Sequence, residues 1–144
     1  MKIFEITSDE VIIANLYDEY EFEDETGLDY YDALEQANKI IKSSGLNMLR
    51  DDEITVVAIS GNVIVGVLWQ SMDNGDLRWS LAVDKNARNM GIAKKLYNGM
   101  PVPEECDTLI AELVSPYTLE NMVKNIGYDL VGVERDFKIY KKQL

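Results

Sequence analysis

The chain has 144 residues, 47% of them hydrophobic, with 26 acidic and 14 basic side chains, no histidine and one cysteine, for a formal net charge of −12. That is about one domain's worth of sequence, apolar enough to bury a core without disulfide or metal staples. The missing histidine excludes Ser-His-Asp and Cys-His couples and any His-bearing zinc site, the solitary Cys106 excludes an internal disulfide, and the negative charge makes nucleic acid a poor partner.

The opening MKIFEITSDE lacks the apolar run of a secretory leader, and no stretch approaches the ~20 apolar residues of a membrane span. The expectation is a soluble cytoplasmic protein of one domain over residues 1–144, with no membrane partner and no metal. Lys2 to Ile6 predicts a first strand. Thr7, with Glu10 three residues on, forms a capping box that predicts a helix through about Tyr20. An acidic run from Tyr17 to Asp32 follows, and it dominates the charge: residues 1 to 53 hold 15 acids and 4 bases, residues 54 to 144 hold 11 and 10. No linker, repeat or low-complexity tract separates the two parts.

Leu34, Ala37, Ile40 and Ile41 recur at helical spacing, with Gly45 placed for a left-handed C-terminal cap. Next, ITVVAI and VIVGVLWQ flank a Ser-Gly-Asn turn, the signature of a hairpin. LRWSLAV, residues 77–83, predicts a further strand. A glycine-containing loop and a helix carrying Ile92, Ala93, Leu96 and Tyr97 come after it, stopping near Gly99 and Pro101. Thr108 to Val114 reads as a buried strand. Ser115 and Pro116 then predict an N-cap and first turn for a helix with Leu119, Met122, Val123 and Ile126 on its apolar stripe, closed by Gly127. YDLVGVE and FKIYKK give two last strands. The order β-α-α-β-β-β-α-β-α-β-β predicts an α/β sheet of mixed direction with helices on both faces.

The loop before the third helix is the most informative segment. Unpaired amides at a helix start and the positive end of its dipole suit an anion, Gly91 lets a ligand approach the backbone, and Lys85, Arg88, Lys94 and Lys95 form the most basic stretch of an acidic chain.

Arg88-Asn89-Met90-Gly91-Ile92-Ala93 resembles the Q/R-x-x-G-x-G/A pattern of the GNAT superfamily of acyl-CoA-dependent N-acetyltransferases. It follows a strand ending in Leu81-Ala82-Val83-Asp84, and Gly127-Tyr128 stands where that family usually has Gly-Phe. The resemblance extends through the element order to nearly the whole chain. It implies a mainly antiparallel sheet whose central strands splay around acetyl-CoA as acyl donor. Backbone groups of Leu81 and Val83 would pair with the pantetheine arm and the amides of Arg88, Asn89, Met90, Gly91, Ile92 and Ala93 would hold the pyrophosphate. Lys94 or Lys95 would meet another phosphate, although Lys95 equally suits a solvated helix face.

The resemblance also implies direct attack of an amine on the thioester, which needs a base, an oxyanion site and a proton for the leaving thiolate, and no histidine. Many relatives supply that proton from a tyrosine four residues before the glycine of Gly-Phe. Here that residue is Val123, and the asparagine of the pattern, eleven before the glycine, is Pro116. Three readings stay open: Tyr117 gives the proton, water does, or the chain binds CoA without efficient turnover. For the base, ribosomal-protein N-terminal acetyltransferases of this family use a glutamate on the strand equivalent to Thr108–Val114, where Glu112 is the only acid, one position off the expected register. Asp84 is second, although a turn position suits a structural role. Tyr97 and Tyr128 read as core.

The family's acceptor site borders the segment joining the first two helices, here the acidic run. Its acids, with Asp18, Glu19, Glu21 and Glu23 foremost, interleave with Tyr17, Tyr20, Phe22, Tyr30 and Tyr31. Carboxylates beside aromatic faces suit a cationic amine, whether polyamine, aminoglycoside, lysine side chain or basic peptide. The same charge also fits an acidic protein-interaction module, or a surface that only aids solubility. A homodimer is one assembly the sequence leaves open.

Overall fold

A computed structural model describes residues 10–46, 48, 51–88, 91–114, 117–135 and 137–144. Among them a seven-stranded sheet runs in the order β1-β2-β3-β4-β5-β7-β6. The strands are β1 (Val11–Asn15), β2 (Glu53–Ser60), β3 (Val63–Asp73), β4 (Asp76–Val83), β5 (Thr108–Val114), β6 (Asp129–Glu134) and β7 (Phe137–Gln143). Neighbours pair antiparallel except β4 with β5, which run parallel. Helices α1 (Glu19–Thr26) and α2 (Tyr30–Ser43) pack on one face, and α3 (Ile92–Asn98) and α4 (Glu120–Asn125) on the other.

Among the described residues, the element order from α2 onward is the one the sequence predicts, while two predicted helices differ in their bounds. The strand expected at Lys2–Ile6 and the Thr7 cap lie outside the described residues. The helix expected through Tyr20 is replaced by β1, paired with β2 from Val11↔Ser60 to Asn15↔Val56, and by α1 beginning at Glu19. Asp18 is the working N-cap: its Oδ1 accepts the backbone N–H of Tyr20 and of Glu21 at 2.9 and 3.0 Å. The acidic run is therefore largely helix, with Gly27 turning out of it at φ 71 and Asp29 capping α2. Helix α4 starts at Glu120, later than Ser115-Pro116 predicts. Those two residues lie outside the described residues, and Tyr117, at φ 57, holds a left-handed backbone that no helical turn contains.

Strand alternation builds two cores. Leu68, Leu77, Trp79, Leu96 and Tyr140 fill the α3/α4 side, and Phe22, Ala37, Val57, Val67 and Trp69 the α1/α2 side. On β3, a Cβ at Gly66 would stand 2.9 Å from Leu96 Cδ1 and 3.2 Å from Ile92 Cγ2. The missing side chain lets α3 lie close against the sheet, which sets where the start of that helix falls.

Candidate active site

The parallel rungs between β4 and β5 run from Asp76↔Thr108 to Trp79↔Ala111. Beyond them no rung joins the two strands among the described residues. Where they part, the Ser80 hydroxyl donates to the Glu112 carbonyl at 3.4 Å. On its other edge β4 stays paired with β3 as far as Gly66↔Val83. The β5-facing backbone of Leu81 to Val83 is thus open to an extended ligand, because peptide groups without a strand partner need another one. The parting opens a cleft of about 580 Å³, a size usual for cofactor and small-ligand sites.

The loop after β4 forms one wall. Asp84 Oδ1 accepts the N–H of Asn86 and caps the 3₁₀ turn Lys85–Ala87, which is the structural role its position suggests. Gly91 is the N-cap of α3 at φ 74, with nothing within 4 Å of where a Cβ would stand. A side chain would be strained there and would protrude into open space, so the glycine leaves the first amides of α3 accessible. Leu81, Val83, Arg88, Gly91, Ile92, Ala93 and Lys94 all border the cleft, whereas Lys85 and Lys95 do not. Asn89 and Met90 lie outside the described residues.

The opposite wall comes from β5, the segment after it and the start of α4. Glu112 and Tyr117 both border the cleft. Glu112 projects on the α1/α2 side, where its carboxylate is 3.7 Å from the Arg78 guanidinium, each side chain about a third exposed at 32% and 34%. The ring of Tyr117 packs on the α3/α4 core and lies 4.4 Å from Lys138 Nζ. Val123, at the position where the resemblance expects a tyrosine, is fully buried.

Tyr128, in the place of the usual phenylalanine, carries a hydroxyl that needs partners once buried. Trp79 Nε1 donates to it at 3.0 Å, and it shares a 3.0 Å hydrogen bond with the Tyr97 hydroxyl. Burial first, and then Tyr97, push the Tyr128 phenol far above its ordinary range, only partly offset by Trp79. It is a core group, as its apolar neighbours predict.

The acids proposed for the acceptor lie on α1 and at its cap. Asp18 caps α1, Glu19 accepts from the Tyr31 hydroxyl at 3.3 Å, and Glu23 accepts the Tyr30 N–H at 2.9 Å, while Glu21 is exposed. None of the four borders the cleft among the described residues. Sequence reasoning did not single out Arg78, Glu120, Lys138 or Tyr140. Their contacts join β4 to β5 and β7 to α4, and carry no local signal.

No family model matches the sequence, and no curated protein matches it significantly. The fold, however, is shared with solved acetyltransferases. Ard1 from Thermoplasma volcanium superposes with a TM-score of 0.67 at 12% identity, over 94% of this chain and 98% of that one. A GNAT family acetyltransferase from Elizabethkingia anophelis, solved with acetyl-CoA bound, gives 0.61 at 16% identity over 94% and 99%. A GNAT family acetyltransferase from Streptococcus pneumoniae gives 0.65 at 12% identity over 94% and 100%. The chain has the GNAT fold.

Proposed function

We propose that the chain is an N-acetyltransferase of the GNAT superfamily that moves an acetyl group from acetyl-CoA to a primary, cationic amine. The observation that carries this reading is the parting of β4 and β5 beyond Trp79↔Ala111, which exposes the β4 backbone beside the glycine-capped start of α3. The residues present fit acetyl-CoA. Open peptide groups of Leu81 and Val83 suit the amides of a pantetheine arm, and the amides of Ile92, Ala93 and Lys94 with the Arg88 and Lys94 side chains suit phosphate oxygens.

In this reading Glu112 takes a proton from the bound ammonium, directly or through one water. The freed nitrogen attacks the thioester carbonyl, forming the C–N bond as the C–S bond breaks. The leaving thiolate takes its proton from Tyr117, and the second proton of the acylated nitrogen restores the Tyr117 phenol, directly or through one water, while Glu112 returns its proton to solvent. Such proton transfers contribute ~10²–10⁴-fold each when well placed. What supports assigning both to one reaction is that Glu112 and Tyr117 each border the cleft.

The test has two parts. Calorimetry with acetyl-CoA should show saturable binding, weakened at least tenfold in Gly91→Val, which places a branched side chain at a positive φ over the amides. Thiol release with a panel of polyamines, aminoglycosides and basic peptides should exceed background hydrolysis for at least one amine. Binding without any amine-dependent release would favour a CoA-binding module over an enzyme, and no binding at millimolar acetyl-CoA would remove both.

A further inference from the structure

We propose that Lys138, locked by Glu120 and Tyr140, is the positioning residue that fixes the Tyr117 ring against the acyl-CoA cleft. This inference rests on the proposed activity and on Tyr117 as its proton donor. With Val123 at the usual tyrosine position, a hydroxyl can reach this wall only from another part of the chain, and Tyr117 lies in the segment between β5 and α4.

A side chain there is held in an unusual backbone. Tyr117 sits at φ 57, a region that residues with a side chain seldom occupy unless their surroundings over-determine it. Its N–H donates to the Val114 carbonyl at 2.8 Å, and its own carbonyl accepts the Glu120 N–H at 3.0 Å. The backbone is therefore tied to the end of β5 on one side and to the first residue of α4 on the other. What remains is the ring, whose direction decides whether the hydroxyl serves the cleft.

Lys138 covers that ring. Its Nζ lies 4.4 Å from the ring centroid, within cation–π range, while donating to Glu120 Oε1 at 2.8 Å. The same Glu120 oxygen accepts from the hydroxyl of Tyr140, a fully buried side chain on β7, and lies 3.6 Å from Lys124 Nζ. A lysine on a surface normally samples many rotamers. Here the buried phenol pins the carboxylate, the carboxylate pins the ammonium, and the ammonium is left over one aromatic face. The chain Tyr140–Glu120–Lys138–Tyr117 thus couples the rigid interior of the sheet to a ring at the edge of the cleft.

The experiment is a kinetic double-mutant cycle on the full chain, with the amine that gives the highest wild-type turnover: wild type, Y117F, K138M and Y117F/K138M. The positioning role predicts that Y117F lowers kcat by ~10²-fold. K138M should lower kcat by about tenfold, with the KM for acetyl-CoA within twofold of wild type. On the Y117F background K138M should cost nothing further, because its effect passes through the hydroxyl already removed. If K138M fails to fold, K138Q, which keeps part of the stem and a donor for Glu120 without the charge, takes its place in the same cycle. Unchanged kcat in K138M, or an equal loss with and without the Tyr117 hydroxyl, overturns the positioning role while leaving the activity standing. A wild type that acetylates no amine overturns the activity and this role together.

Discussion

Glu120 differs from the other acids of the chain in having its charge built into the packing. Hydrogen bonds from Lys138 and then Tyr140 hold its carboxyl down at about 2, against the opposing effect of burial, with Lys124 adding a smaller pull. Burial and the same carboxylate push the Tyr140 phenol up to about 12. The sign follows from linkage. A carboxyl whose folded pKa lies below its unfolded value of ~4.3 contributes stability that is complete above that value and is lost as pH falls toward the folded one. Wild type should therefore lose stability between about pH 4.5 and 2 more steeply than Glu120→Gln. Urea denaturation at pH 7, 4.5 and 3 checks this: the wild type should lead the variant at pH 7, and the lead should shrink as the pH drops. A lead of constant size would show that the carboxylate charge is not what the contact uses.

At the level of elements, α1 is the least self-sufficient helix. Eight residues cannot sustain a helix alone, and Glu19–Glu23 and Glu21–Glu25 set like charges four apart on its surface. Three features hold it: the Asp18 cap, the fully buried Phe22, and the left-handed Gly27, whose N–H returns to the Glu23 carbonyl. Asp18→Ala should cost ~1 kcal/mol of unfolding free energy, whereas Asp18→Asn, an equally good cap, should cost only a few tenths. Equal losses in the two variants by urea denaturation would move the stabilisation away from the cap. The same element shows why parts of the fold were illegible. In β1 the buried side chains are Val11 and Ala14, three residues apart, a spacing that also suits a helical turn. The capping box before it therefore outweighs the β-branched run, and the sequence predicts helix where β1 lies. Longer apolar runs, as in β2, β3 and β5, predict the strands found there, because helices cover both faces of the sheet. The anion loop was legible because strand, glycine and helix start are neighbours in sequence. The β7–α4 cluster was not, since Glu120, Lys138 and Tyr140 meet only through tertiary packing.

Over the whole molecule, the net charge of −12 is arranged rather than uniform. Arg88 and Lys94 border the cleft, while the acids from Asp18 to Asp32 lie on or beside α1 and the start of α2 and do not line it. On the proposed function, that arrangement gives the acidic run a second way to act on a cationic acceptor beside contact, by long-range attraction. Capping and hydrogen bonding already occupy Asp18, Glu19 and Glu23, whereas Glu21, Asp24 and Glu25 are exposed and can set the field without disturbing the fold. Steering by a surface field raises encounter rates by ~10–10³-fold and fades once the Debye length shrinks below the separation, ~10 Å at 0.1 M salt. For a polyamine acceptor, kcat/KM should therefore fall several-fold or more between ~10 mM and ~0.3 M salt, while kcat at saturation stays level. Neutralising Glu21, Asp24 and Glu25 together to Gln, Asn and Gln should lower kcat/KM at low salt toward the high-salt value and flatten the dependence. If the triple variant keeps the full salt dependence, the field that draws the amine originates elsewhere, and the acidic helix serves solubility alone.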